Sequence, residues 1–167
     1  MKAKQQEFLN LIDSHKGILH KVSRMYMDND EDQNDLIQEI VLQLWHSYER
    51  FEGNSKFSTW MYRVSVNTAL TFFKKEKKKA DHHTFLENID RVDDEQSSEK
   101  ETQLELFYKA VQELNKVEKA LIFLFLEGQN HKEIGENLGI TEGNARVKLN
   151  RTKDKLQIII KKYGYEF

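Results

Sequence analysis

Apolar residues in the first part of the chain recur near helical spacing at Phe8, Leu11, Ile12, Ile18, Leu19, Val22 and Tyr26. Gly17 weakens the middle of that helix, and the polar run Asp28-Asn29-Asp30-Glu31 ends it. The next stripe, Leu36, Ile37, Ile40, Val41, Leu44, Trp45 and Tyr48, is the cleanest amphipathic pattern in the chain and predicts a second helix. Glu52-Gly53-Asn54-Ser55 reads as a loop, after which Ser58 or Thr59 caps a third helix that runs into lysines. From about Ala80 to Glu101 the apolar period is lost; Phe85, Leu86 and Ile89 offer at most a short docked turn. Periodicity returns at Leu104, Phe107, Tyr108, Val111 and Leu114, continues through Val117, Ala120, Leu121, Leu124 and Phe125, and breaks at Glu127-Gly128-Gln129. Asn130 and Glu133 have capping-box spacing and open a short helix through Ile134 and Leu138. Gly139 then turns the chain, and Thr141 caps a last helix through Ala145, Leu149, Leu156 and Ile159. These patterns predict an all-α protein: two small helical domains, 1–79 and 102–167, joined by a flexible acidic linker at 80–101.

Composition supports that division. The 167 residues include no proline, which fits long helices, since proline breaks helix interiors. There is also no cysteine, so disulfides, thiolate zinc sites and a cysteine nucleophile are excluded, and a reducing cytoplasm is the expected compartment. Met1 to Leu11 lacks a signal-peptide apolar stretch, and no run reaches the roughly 18 apolar residues of a membrane span, so no membrane insertion is expected.

The formal net charge is −2, but its distribution matters more than its total. Arg63 to Lys79 holds six bases and one acid, Asp81 to Glu101 eight acids and two bases, and Thr141 to Lys162 seven bases and two acids. Two basic blocks thus flank an acidic one, and that asymmetry matters more than the total.

The last two helices, with the glycine turn between them, read as a helix-turn-helix. On its second helix, Ala145, Leu149, Thr152 and Leu156 face inward, leaving Asn144, Arg146, Val147, Lys148, Asn150 and Arg151 over the remaining surface. Arg and Lys donate to phosphates and guanine edges, and Asn pairs with adenine. A helical hairpin with a solvated basic face is the plainer alternative. The third helix mixes Phe57, Trp60, Tyr62, Phe72 and Phe73 with Arg63 and the lysine block. Aromatics that stack on bases beside cations that hold phosphates are the chemistry of single-strand binding. Those aromatics also serve as core, and the lysines also suit a helix C-terminus. On the second helix Asp35, Gln38, Glu39 and Gln43 form an acid-amide edge that, if functional, meets protein rather than DNA. No catalytic constellation is present, and no cofactor or metal is expected. His82-His83 lacks ligands at metal spacing, and His15 and His20 do not share a face.

At these motifs the chain resembles a known family. Asp35-Leu-Ile-Gln-Glu-Ile-Val-Leu-Gln-Leu-Trp45 resembles the helix by which bacterial sigma factors dock on the largest RNA polymerase subunit. Phe57-Ser-Thr-Trp-Met-Tyr-Arg63 with Asn67-Thr-Ala-Leu70 is similar to the block that melts and reads the minus-ten promoter element. Gly128-Gln-Asn-His-Lys-Glu-Ile-Gly135, Leu138-Gly-Ile-Thr-Glu-Gly143 and Arg151 resemble the minus-thirty-five helix-turn-helix. Order and spacing match the compact extracytoplasmic-function (ECF) group of the sigma-70 family.

The resemblance implies a non-enzymatic sigma factor whose partners are core RNA polymerase and promoter DNA, duplex and melted, with an anti-sigma factor as a further partner. It implies polymerase docking through Asp35, Gln38, Glu39 and Gln43. It implies minus-ten contacts from Lys56, Phe57, Tyr62, Arg63, Asn67, Lys74, Lys75 and Lys78, and minus-thirty-five contacts from Thr141, Asn144, Arg146, Lys148, Asn150 and Arg151. The chain departs from the usual pattern at Thr71 (commonly an acid), Lys116 (commonly proline) and Gly135 (commonly alanine), so no promoter sequence is carried over. A stand-alone helix-turn-helix regulator and a helical protein-binding adaptor are the alternative readings of the residues.

Overall fold

The computed structural model describes residues 2–80 and 99–164, and within 73–80 the backbone alone. The linker expectation for 81–98, with Phe85, Leu86, Ile89 and the His82-His83 pair, lies outside the described residues. All regular elements described are helices: α1 (Lys2–Ser14), α2 (Lys16–Tyr26), α3 (Asp30–Tyr48), α4 (Phe57–Ala80), α5 (Glu99–Gln112), α6 (Lys116–Leu126), α7 (His131–Leu138) and α8 (Glu142–Lys162).

The α3 stripe works as its spacing predicts. Leu36, Ile40 and Leu44 are fully buried at four-residue intervals, and burying such side chains contributes about 1.5–3 kcal/mol each. Phe8 of α1 closes one end of this core, its ring centroid 5.0 Å from that of Trp45 and 5.1 Å from that of Tyr48. Helix α2 is the shared element: it packs on α3 and α4 on one side and on α5 and α6 on the other. Its buried residues, Ile18, Leu19, Val22, Met25 and Tyr26, therefore join the two halves.

Three boundaries differ from the sequence expectation. The first amphipathic segment is two helices, and the break falls at His15 (φ −120°, ψ 16°), not at Gly17. There the imidazole Nδ1 bonds the Leu11 carbonyl at 2.8 Å, satisfying a group at the end of α1. Helix α4 opens at Phe57, ahead of both predicted caps, with the Trp60 N–H donating to the Lys56 carbonyl at 3.2 Å. Helix α5 opens at Glu99, inside the range expected for the linker; acids at a helix start favour that extension through the dipole.

The C-terminal caps follow the sequence. Asn130 and Glu133 close a reciprocal capping box on α7, Gly139 takes φ +70° at its C-terminus, and the Thr141 hydroxyl caps α8 by accepting from the Asn144 N–H. A second reciprocal box, Asn115 with Glu118, opens α6 at the same three-residue spacing and is an addition to the predicted caps. Gly135 has a packing reason. A Cβ there would lie 2.7 Å from the Ile140 carbonyl oxygen, so the turn can close on α7 only because no side chain intervenes.

Candidate nucleic-acid and protein interfaces

Helix α8 presents two faces, as 3.6-residue periodicity requires. Ala145, Leu149, Thr152 and Leu156 are buried against α6 and α7, while Asn144, Arg146, Val147, Lys148, Asn150 and Arg151 are all exposed. Thr152 satisfies its buried hydroxyl by donating to the Lys148 carbonyl at 2.8 Å. Val147 projects from the side opposite the buried set and is 48% exposed among basic and amide neighbours. Thr141 is committed to capping, and Arg146 lies 3.5 Å from Glu142 in an exposed pair that contributes little. Lys148 and Arg151 line a groove shared with Tyr26 and Asp28 at the end of α2.

On α4 the predicted residues separate by direction. Arg63, Asn67 and Thr71 are exposed at four-residue spacing on one stripe. Positions 74 and 78 continue that register along the helix, but the side chains of Lys74, Lys75 and Lys78 lie outside what is described. Lys56 is exposed just before the helix. Phe57 is enclosed in an aromatic cluster, with centroids 5.4 Å from Trp60, 5.9 Å from Phe51 and 5.2 Å from the His15 ring. Trp60 in turn stacks 4.9 Å from Phe51. Tyr62 points the other way, toward α6: its hydroxyl donates to Glu127 Oε2 at 2.5 Å and its ring meets Phe123 at 5.6 Å.

The acid-amide edge of α3 divides between two grooves. Asp35 is exposed. Gln38 borders an apolar groove formed with Phe8, Leu9, Leu42 and Trp45. Glu39 and Gln43, hydrogen-bonded to each other at 2.9 Å, line a different groove that includes Asn67 and Phe72 of α4.

The seam between the halves is polar and well satisfied. Tyr26, 2% exposed, donates its hydroxyl to the Lys116 carbonyl at 2.9 Å. Gln112 Nε2 donates to the carbonyls of Arg24 and Met25 at 3.1 and 3.2 Å, and its Oε1 accepts from Lys119 Nζ at 3.1 Å. Lys119 is buried with its ammonium 5.6 Å from the Tyr26 ring centroid; burial holds its pKa below the usual lysine value, opposed by the Asp28 charge. Burial likewise pushes the Tyr26 hydroxyl up. Tyr62 is pushed up by burial first and then by its bond to the Glu127 carboxylate, so it stays a proton donor. Glu127 also accepts from Lys21 Nζ at 3.0 Å. Arg24 stacks its guanidinium 4.1 Å from the Tyr108 ring.

Sequence reading missed Lys21, Gln112, Lys119 and Glu127. Lys21 and Glu127 are 106 residues apart, so no local pattern could pair them. It also named Val147 as outward without giving it a role. Among the described residues no group of three or more His, Asp or Glu is placed to hold a metal ion, and no helix is long and apolar enough to cross a membrane.

Sigma-70 region 2 matches residues 11–79 and Sigma-70, region 4 matches residues 104–156. The chain is 24% identical to the ECF RNA polymerase sigma factor SigW of Bacillus subtilis, over 93% of this chain and 90% of that one. It is 27% identical to the RNA polymerase sigma factor SigV of the same organism, over 97% and 98%. Its fold matches the sigma factor RpoE, crystallised with the anti-sigma factor NepR from Bartonella quintana, with a TM-score of 0.70 at 19% identity, covering 96% of this chain and 98% of that one.

Proposed function

The chain belongs to the sigma-70 family, in its ECF group, and from that premise we propose how its residues bring core RNA polymerase to promoters and open them. It is a sigma factor: it binds core polymerase and directs promoter-specific initiation, a task of binding rather than catalysis. One observation carries the reading most directly. A region 2 match and a region 4 match stand in order on one chain, and the second ends in a capped helix-turn-helix with a basic outward face. In this reading 1–79 docks on polymerase and handles the minus-ten element, 80–101 links, and 102–167 reads the minus-thirty-five element, all in the cytoplasm.

Asp35, Gln38, Glu39 and Gln43 meet the polymerase, with the apolar groove beside Gln38 adding buried area. Arg63, Asn67, Lys74 and Lys78 share the α4 stripe and follow the separated strand; Lys56, Phe57, Tyr62 and Lys75 flank it. Unstacking a base costs a few kcal/mol, and stacking it on an aromatic returns roughly 1–3 kcal/mol. Thr141, Asn144, Arg146, Lys148, Asn150 and Arg151 grip the upstream duplex. Two modest sites on one tether gain avidity when both are reached. An anti-sigma factor is a further partner, a reading supported by the complex in which the RpoE relative was solved.

Promoter opening by polymerase reconstituted with this chain tests the mechanism. Alanine at Asn67, Lys74 or Lys75 should leave polymerase binding intact but reduce permanganate reactivity of minus-ten thymines. A promoter carrying mismatches across that element should partly rescue each variant. Full footprints from all three on the closed duplex would remove strand capture from α4. Tight binding to a palindromic duplex without polymerase would instead make the chain a stand-alone regulator.

A further inference from the structure

We propose that Lys21 Nζ and the Tyr62 hydroxyl form a seat for one backbone phosphate of the separated promoter strand, and that Glu127 occupies it as a carboxylate stand-in while the two halves are closed. This rests on the reading of α4 as a single-strand surface. Its basis is the chemistry of the three groups. Glu127 offers two oxygens from one anionic group, one to Lys21 Nζ at 3.0 Å and the other to the Tyr62 hydroxyl at 2.5 Å. A phosphodiester presents the same pattern: two non-bridging oxygens sharing one negative charge, and charge-assisted bonds to both donors.

The position of Glu127 argues that it is placed for those partners rather than for its own helix. It is the C-cap of α6, where the aligned peptide dipoles disfavour an anion. Its favourable contacts therefore come from across the seam, from α2 and α4. The Glu127 side chain is only 14% exposed, whereas that of Lys21 is 55% exposed. The lysine thus remains reachable by an incoming phosphate while the carboxylate is held. Tyr62 faces α6, about 100° around α4 from Arg63, so the seat lies on the face next to the Arg63–Asn67 stripe and a strand must turn off that stripe to reach it. Strand binding and closure of the two halves then compete for the same two donors. Part of the affinity of the free chain for single strands is hidden until polymerase or DNA separates α6 from α4.

The full chain, without polymerase, is titrated into a short fluorescent single-stranded DNA of mixed sequence, read by anisotropy at several salt concentrations. Glu127→Gln removes the charge with little change of shape and should raise affinity by roughly fivefold to tenfold. Adding Lys21→Ala to it should abolish that gain and reduce the salt slope by about 0.7, the loss of one phosphate contact on a single strand. Tyr62→Phe added to E127Q should also lower the gain. Circular dichroism confirms that each variant is folded. Donor and acceptor dyes, one on each half, should report a larger open population for E127Q. Equal affinity of E127Q and wild type, or a gain that survives Lys21→Ala, would overturn the proposal. Promoter opening with core polymerase, compared between the wild-type chain and the Asn67, Lys74 and Lys75 alanine variants, separates the two failures. If opening depends on those residues while E127Q is neutral, only the phosphate seat is wrong; if minus-ten opening does not depend on α4, the reading beneath it falls as well.

Discussion

Replacing Gly135 by alanine sets two effects of known size against each other. Gly135 lies inside α7, and alanine in a helix interior is favoured over glycine by about 0.8–1.0 kcal/mol. Against that, the new methyl would sit 2.7 Å from the Ile140 carbonyl oxygen and 3.3 Å from the Glu142 nitrogen. Both obstacles are backbone, so no side chain can swing away. The same turn carries the Ile140 N–H bond to the Gly135 carbonyl at 2.9 Å and, one residue on, the Thr141 cap of α8. Forcing an extra methyl into such a site costs about 1–3 kcal/mol, so the net change is a loss of up to about 2 kcal/mol. For a chain of 167 residues, at about 2–4 °C per kcal/mol, the melting temperature should fall by up to about 8 °C. Gly17→Ala is the control: a Cβ there meets nothing within 4 Å, and the substitution should stabilise by about 0.4–1 kcal/mol. Thermal melts followed by circular dichroism read both. A G135A melting temperature above wild type would show that the turn retreats from α7 at less cost than the helix-propensity gain, refuting the steric argument. The family's commoner alanine at this position would then need no compensating turn geometry.

Lys119→Met keeps the aliphatic stem but removes the buried ammonium. Below its usual value a folded lysine with a lowered pKa releases its proton before the unfolded one does, so the unfolded state binds more protons there and stability rises with pH. Wild type should therefore gain on K119M as pH climbs toward 10.5, measured as urea midpoints for both; a pH-independent difference would refute the buried-charge assignment. Asn150→Ala in the recognition helix should cost about 1–3 kcal/mol at one base pair and relax preference there, whereas Lys148→Ala should weaken all sequences and lower the salt slope by about 1, both read by promoter-variant binding with the reconstituted polymerase. Val147→Ala should weaken discrimination only where a thymine methyl is met, since an exposed apolar side chain reads that group. Gln38→Ala with Glu39→Ala should reduce capture of core polymerase while helix content is unchanged; undiminished capture would remove that edge as a docking surface.

Much of this protein was legible in local sequence because helices are local objects. The Leu36–Ile40–Leu44 stripe, the Asn130–Glu133 box, the Gly139 turn and the Thr141 cap are set by residues three or four apart, and each stands where its spacing places it. The two-faced α8 followed from the same period, and so did the ordered motifs that carried the family resemblance. Helix ends were less legible, because acids at Glu99 and a ring-to-carbonyl bond at His15 extended or broke elements against the apolar pattern. What only the tertiary structure decided is how the halves meet. Tyr62 looked like one more aromatic on a basic helix, yet its hydroxyl belongs to Glu127, 65 residues along the chain. Lys119 sat in the apolar run of α6 with nothing nearby in sequence to mark it, and the Tyr26 ring and Gln112 determine that it is buried. Periodicity records which side of a helix is wet; the identity of the group across the seam depends on contacts between distant segments, which form only once the whole chain has packed.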